Sequence, residues 1–376
     1  MKKPKICVVS LPAYPLLAQK DIEVVGGAEL QCVLLARELR KRGLDVSFIV
    51  SDFGQQSPEV IDDIRILKAY PADTPIGIRF STMRLIWRAL RQADADLYYG
   101  FRGIAGIVAL YCLLRRKKLV IGVPSDMELQ GDRVKRLNIY NWLWRFDLRR
   151  ANSVIAQTKY QQEMLKRRFG RDSVLIKAFH PIESKAIEKE IPPIVLWVGT
   201  IRPEWKQPEV FLKLASAIPE AKFQMVGGPS REEEFYEQIK AAAGKIPNLD
   251  FVGFVPHHEI TKYFEKASIF VNTSDVEGFP NTFLEAWSRY TPVVSLNIDP
   301  DEIICERKLG FHSKSFEQMV EDVKRLLADE RLRQELGGNG RRYVEQEHDL
   351  NKAVEHYIRL FNQLTDRDTH SVEMSR

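Results

Sequence analysis

Asp275-Val276-Glu277-Gly278-Phe279-Pro280-Asn281-Thr282-Phe283-Leu284-Glu285-Ala286-Trp287 is the stretch on which the reading of this chain turns. It sets two carboxylates, Glu277 and Glu285, eight positions apart, with a glycine, a proline and an Asn-Thr helix opener between them. The apolar run at 267–272 is expected to bring the chain to the edge of a sheet. Asn281 or Thr282 is expected to cap the following helix, because both side chains accept hydrogen bonds from first-turn N–H groups. A helix start reached through a glycine loop is an anion site, since its amides point outward and its dipole is positive there. Glu285 lies about one turn inside that helix and Glu277 on the loop before it, so a phosphate at the helix end has a carboxylate on either side. Carboxylate oxygens accept strong hydrogen bonds from sugar hydroxyls. The layout suits a nucleotide-sugar, with the diphosphate on the amides and one carbohydrate ring on each acid. The plain alternative is a helix that follows a turn and carries two surface glutamates.

Together with Thr291-Pro292-Val293-Val294, this segment resembles the Glu-x7-Glu signature of the retaining glycosyltransferases of family 4, which have the GT-B fold. The resemblance implies that Glu277 faces the donor sugar and Glu285 the ribose. It also implies that Gly278, Phe279, Pro280, Asn281, Thr282 and Phe283 line the donor, with their amides toward the diphosphate.

The rest of the chain is consistent with such an α/β protein. Strand-like runs at 5–10, 45–50, 64–69, 96–101, 119–123, 153–157 and 174–178 alternate with helix-period segments at 28–42, 81–93, 103–115, 137–150 and 159–168. Near-continuous Val/Ile/Leu strands between amphipathic helices indicate a parallel sheet covered on both faces. A charged stretch at 184–193 ending in two prolines reads as a linker. The pattern then restarts, with strands at 194–198, 222–226, 250–253, 268–272 and 293–296, and helices at 208–217, 231–244, 258–266, 282–290, 316–328 and 331–347. The expected architecture is two doubly wound, Rossmann-like domains, 1–183 for the acceptor and 184–349 for the nucleotide-sugar, with the ligand in a deep cleft between them. The last helix, 350–364, is expected to cross back to the first domain, with a frayed tail after Thr365.

Several other residues join the candidate site. Gly26 and Gly27 open a helix after the first strand, and paired glycines let amides approach a ligand; the segment resembles the family's N-terminal Gly-Gly loop near the donor phosphate. Lys206 follows the first strand of the second domain, where a lysine can neutralise a leaving diphosphate. The family has an Arg just after Val-Gly and a Lys a few residues on. Lys206 matches the Lys, Thr200 occupies the Arg position, and Arg202 is the candidate substitute from the same loop. Phe254 and Val255 end a strand at the turn that touches the base in the family, although as side chains they read as plain core. Ser125-Asp126 stands where many relatives carry a pocket His; Asp126 is a candidate to orient the sugar or acceptor hydroxyl, and equally a helix cap. His180 reads as structural. Asp94-Ala95-Asp96 and Asp299-Pro300-Asp301 mimic an Asp-x-Asp metal motif, the first at the wrong end of a strand and the second without an accompanying ligand set, so no metal or other cofactor is expected.

Composition limits the remaining classes. The chain has 376 residues, 44% hydrophobic and 28% charged, which suits two soluble cores. Its four scattered cysteines match no metal spacing and fit a reducing compartment. No signal peptide or membrane-length apolar run is evident, so a cytoplasmic location is expected. A net charge of +5 does not imply nucleic acid. Arg133, Lys135, Arg136, Arg145, Arg149 and Arg150 surround Tyr140, Trp142, Leu143, Trp144 and Phe146. This mixture reads first as a sheet-packing helix with basic residues outside, and second as peripheral contact with an anionic membrane carrying a lipid-linked saccharide acceptor.

The resemblance implies metal-independent hexosyl transfer from a UDP- or GDP-sugar to an acceptor hydroxyl, with retained configuration and the leaving phosphate taking the acceptor's proton. Two rivals remain. A GT-B nucleotide-sugar epimerase lacks this Glu-x7-Glu loop, and the presence of Glu277, Lys206 and Glu285 argues against a non-catalytic nucleotide-sugar-binding protein.

Overall fold

The computed structural model describes residues 3–20, 26–74, 80–101, 106–130, 138–183, 187–230 and 232–373. Arg133, Lys135, Arg136 and the first residues of the expected linker, 184–186, lie outside them. The chain forms two compact units. One runs to Lys177 and resumes at Asn351; the other spans Ala178–Leu350.

The first unit contains β1 (Lys5–Val9), β2 (Asp45–Asp52), β3 (Glu59–Ile61), β4 (Ile64–Pro71), β5 (Leu97–Phe101), β6 (Lys118–Gly122), β7 (Ser153–Ala156) and β8 (Val174–Leu175). They form one sheet in the order β3-β4-β2-β1-β5-β6-β7-β8. The neighbours are parallel except β3 and β4. The final helix, Leu350–Glu373, belongs to this unit. The Tyr357 hydroxyl lies 3.1 Å from that of Tyr99, their rings 5.4 Å apart edge to face, and Phe361 packs on the same ring. The helix continues past residue 364 because Thr365 to Glu373 contains neither glycine nor proline to stop it.

The second unit contains β9 (Ile194–Val198), β10 (Lys222–Val226), β11 (Leu249–Gly253), β12 (Ile269–Asn272), β13 (Val293–Ser295) and β14 (Gly310–His312), ordered β11-β10-β9-β12-β13-β14. Every pair is parallel. Val195, Trp197, Ile269 and Val271 enter one core, while Leu196 and Phe270 enter another on the opposite face. Burial on both faces is why these strands read as unbroken apolar runs. The chain winds from β9 out to β11, then returns to β12 on the other side of β9. The strand order therefore reverses between β9 and β12, and the C-terminal ends of the strands at such a switch point are where open α/β sheets hold ligands.

The units divide between Lys177 and Ala178, ahead of the 183/184 boundary expected from the sequence. Ala178 already accepts a hydrogen bond from His348 Nδ1 at 2.6 Å, and the His180 amide donates to the His348 carbonyl at 3.0 Å. The supposed linker is docked in part: Lys189 Nζ donates to Thr291 Oγ1 at 2.7 Å and Glu190 pairs with Lys222.

The helix Asn281–Ser288 that follows the decisive loop is fixed by Trp287, which is fully buried and donates from Nε1 to the Leu309 carbonyl at 3.0 Å. Helix Glu330–Glu347 lies directly against it. A Cβ at Gly340 would stand 2.5 Å from Trp287 Cδ1, and one at Gly337 would overlap the Tyr290 carbonyl oxygen. Glycine in a helix interior costs roughly 0.5–1 kcal/mol relative to alanine; here close helix packing requires it.

Candidate active site

The loops leaving β9 and β12 meet through a short polar chain. Trp197 Nε1, at the end of β9, donates to Thr273 Oγ1 at 3.0 Å, and Thr273 Oγ1 donates to the Lys206 carbonyl at 2.6 Å. The Asp275 amide donates to the Trp205 carbonyl at 2.6 Å. Trp205 and Gln207, on either side of Lys206, have φ of 67° and 46°. Left-handed backbone at non-glycine residues costs on the order of 1–3 kcal/mol each and persists where its surroundings impose it. These contacts aim Lys206 at the second loop. Its ammonium is ion-paired with Glu277 Oε1, and Ser274 Oγ donates to that same oxygen at 2.8 Å. Both side chains are 18% exposed. Glu277 Oε2 carries no hydrogen bond among the described residues.

Arg202 belongs to the same constellation. Its guanidinium lies 4.6 Å from the centre of the Trp205 ring. Burial holds it below its ordinary basicity, against the opposing pull of Glu277 and Glu204. Its Nε is buried without a hydrogen-bond partner. Buried donors are nearly always paired, so an unpaired one on the loop that carries Lys206 marks a place for an acceptor.

The helix end differs from the sequence expectation. Pro280, not Asn281 or Thr282, is the N-cap, and no side-chain capping bond forms there. Proline offers no side-chain acceptor; in the first turn the Phe283 amide donates to the Pro280 carbonyl at 3.1 Å. Phe279 and Phe283 are buried. The Phe279 ring centre lies 4.6 Å from that of His348, so its side chain is structural and only the backbone here is available to a ligand. Gly278 and Pro280 are likewise buried, while Asn281 and Thr282 are half-buried.

Glu285 is 7% exposed. Burial pushes its carboxyl up, but the contact with His257 and the positive groups around it, Arg289 among them, outweigh this and hold it below the usual carboxylate range. His257 Nε2 stands 3.5 Å from Glu285 Oε1, long for a hydrogen bond. His180 Nε2 lies 2.8 Å from Arg289 Nη1 and is driven down to about 4 chiefly by burial. This supports the structural reading of His180. His257 escaped the sequence reading; its signal was a histidine opening the helix His257–Lys266, right after β11. On the same turn Val255 is buried, and Phe254 packs over Gly228, 3.0 Å from where a Cβ would be.

The remaining candidates belong to the first unit. Asp126 follows β6, and its Oδ1 accepts from Gln161 Nε2 at 3.0 Å; the adjacent cap is Ser125, whose Oγ accepts from the Met127 amide at 3.3 Å. Gly26 is the N-cap of helix Gly27–Lys41. Here the expectation of open amides needs correction: Glu29 folds back onto Gly26, with its Oε2 2.5 Å from where a Gly26 Cβ would be. Burial raises the Glu29 carboxyl, against hydrogen bonds from its own amide and that of Gly26. The loop's own acid thus sits on an amide assigned to a donor phosphate.

Of the two Asp-x-Asp pairs, Asp94 and Asp96 face Lys117 at 3.6 and 4.0 Å, and Asp96 accepts from the Lys5 amide at the start of β1. Asp299 is not isolated as expected. Its carboxylate, Cys305 Sγ and a His312 ring nitrogen lie within 4.8 Å of one another, because the 299–306 turn folds back against β14. Asp299 there caps the turn, accepting from the Ile304 amide at 2.7 Å and the Cys305 amide at 3.4 Å.

Two doubly wound units, the second with a lysine, an arginine and an acid converging at its switch point, define a GT-B glycosyltransferase, and the chain belongs to that class. Residues 180–343 match the family of glycosyl transferases group 1, and residues 25–180 match Glycosyltransferase Family 4. The chain is 23% identical, over 90% of its length and 96% of the other's, to an uncharacterized glycosyltransferase of Haemophilus influenzae. It is 25% identical to the 2-deoxystreptamine N-acetyl-D-glucosaminyltransferase of Streptomyces fradiae, over 76% of each. Among solved structures it resembles sucrose-phosphate synthase from Thermosynechococcus elongatus, with a TM-score of 0.78 and 19% identity over 97% of this chain and 100% of that one. Anabaena HepE in complex with UDP and glucose gives 0.74 and 16% over 96% and 100%. Likenesses at this identity establish the fold.

Proposed function

We propose that the protein transfers a hexose, with retained configuration, from a nucleoside-diphosphate sugar to a hydroxyl of a saccharide or lipid-linked saccharide. The observation that carries this reading is the convergence of Lys206, Arg202 and Glu277 at the β9/β12 switch point, in front of a helix whose cap residue has no side-chain acceptor. The helix N-terminus and the Arg202 Nε supply donors for a diphosphate, and Lys206 supplies a positive charge whose attraction grows as the glycosyl–phosphate bond breaks and the diphosphate becomes more negative. Glu277, held at Oε1 by Lys206 and Ser274, keeps Oε2 for sugar hydroxyls, a positioning role. Glu285, kept ionised beside His257, takes the ribose. The acceptor's proton passes to the leaving phosphate, and positive charge on the diphosphate comes from side chains and amides without a metal. Neighbours described with UDP and glucose or UDP-glucose favour a uridine donor.

The test has two stages. A thermal-shift screen of UDP-, GDP- and ADP-sugars finds the donor, because a ligand that binds only the folded state raises the melting temperature. Turnover of that donor with EDTA present, with and without candidate acceptors, then follows. Nucleotide release that needs an acceptor and survives EDTA supports the reading. Isomerised donor in the absence of acceptor points to an epimerase, and binding without any turnover to a non-catalytic protein; either result refutes the proposal.

A further inference from the structure

Three helices of the first unit, Phe80–Ala93, Ile107–Arg115 and Asn138–Arg150, form one layer over a single core. Trp87 and Tyr111 pack edge to face at 5.0 Å, joining the first to the second. The second joins the third at Gly106, where a Cβ would lie 2.9 Å from Leu143 Cδ2. With their inner faces buried together, their exposed residues share the outer side.

That outer side is unusual in both apolarity and charge. Six of the eleven large apolar side chains exposed among the described residues are on it: Phe80 (85%), Leu85, Leu110, Leu113, Leu114 (62%) and Trp142 (63%). Arg84, Arg88 and Arg91 are exposed on the first helix and Arg115 on the second. Arg145, Arg149 and Arg150 are exposed on the third. The only acid in the three helices is Asp147, which is 1% exposed, although the chain carries 51 acidic residues. None of these arginines is ion-paired among the described residues. Trp142 stacks on Phe146 at 6.0 Å, and Arg150 lies over the same Phe146 ring at 5.8 Å.

We propose that this face docks on an anionic lipid bilayer. Exposed leucines, a phenylalanine and a tryptophan enter the headgroup boundary, while the arginines meet lipid phosphates. A second copy is the poorer occupant, because a twofold contact would set the same arginine-bearing surface against itself. Nucleic acid would leave the aliphatic side chains without use. No helix among the described residues is long and apolar enough to cross a membrane, so the attachment is peripheral. The inference goes beyond the proposed reaction and does not depend on the donor.

The experiment is co-sedimentation of the full chain with phosphatidylglycerol vesicles and with phosphatidylcholine vesicles, at low and high salt. Binding is expected to the anionic vesicles alone and to weaken with salt. Arg84→Glu and Arg88→Glu are each expected to weaken it at least about fivefold, the weight of one basic residue near such a surface. Leu113→Ser with Leu114→Ser, which changes no charge, is expected to weaken it about tenfold or more, from the apolar area withdrawn. Melting temperatures should stay unchanged, because all four positions are exposed. Failure of the wild type to sediment with anionic vesicles at low salt overturns the proposal. So does unchanged binding by the serine variant, which would mean unspecific charge attraction. A wild-type dimer in size-exclusion chromatography that the serine variant turns into a monomer also overturns it, assigning the face to self-association. None of these results bears on whether the protein transfers sugar.

Discussion

Replacing Lys206 with alanine tests the proposed chemistry most directly. The ammonium and the Glu277 carboxylate are both 18% exposed, neither fully solvated nor dry. At the effective dielectric near 20 suited to such sites, two unit charges about 4 Å apart interact by roughly 4 kcal/mol. A diphosphate gains about one charge as it departs, so that interaction grows mainly in the transition state and should appear in kcat rather than KM. Losing it should lower kcat about 10²- to 10³-fold, the range found when one oxyanion donor is deleted elsewhere. Lys206→Arg, which keeps the charge, should recover part of the rate. The assay is initial-rate nucleotide release with the donor found by thermal shift, alongside the melting temperature of each variant. Because Lys206 also holds Glu277 Oε1, the double variant Lys206→Ala/Glu277→Gln should lose less than the two single losses combined. A kcat within threefold of wild type for Lys206→Ala, at unchanged melting temperature, would refute the assignment of Lys206 to the leaving group.

Other predictions concern the surroundings of the site. Burial lowers His180 from 6.5 to about 4, so the folded and unfolded chains are both neutral there above pH 6.5. As the pH falls through 6.5 toward 4 the unfolded chain gains a proton that the folded chain refuses. Stability should drop by about 3 kcal/mol across that window, and His180→Gln should remove this part of the slope in denaturant titrations. Lys189, lowered from 10.5 to about 7 mainly by burial, acts in the alkaline range: stability should rise as pH increases from 7 toward 10.5, and Lys189→Met should flatten that rise. Trp287→Ala should cost about 3–5 kcal/mol, read as a lower urea midpoint at constant slope. Glu285→Gln should shrink the donor-induced thermal shift, while exposed Glu317→Gln, on a helix far along the chain, should leave it unchanged.

Much of the architecture was legible in local pattern. Strands such as Ile194–Val198 and helices such as Pro208–Ala217 carry their period in a few adjacent residues, and the restart after residue 193 announced a second unit. The three-residue edge strands β3 and β14 were not legible, because a segment that short has no room for a period. Nor was Pro280 as the cap: Asn and Thr are the stronger cap formers, and packing of Phe279, Phe283 and Trp287 chose the start of the helix instead.

By itself the sequence determined the alternation of strands and helices, the two-unit plan and the loop that joins Glu277 to Glu285, since each depends on interactions between residues close along the chain. Only the tertiary structure decided which oxygen of Glu277 meets Lys206 and that His257 stands beside Glu285. It also decided that Glu29 closes over Gly26, and that three separate helices gather their arginines and leucines on one face. Those pairings join residues distant in sequence, and the strand order and burial that bring them together are properties of the packed sheet, which no local window contains.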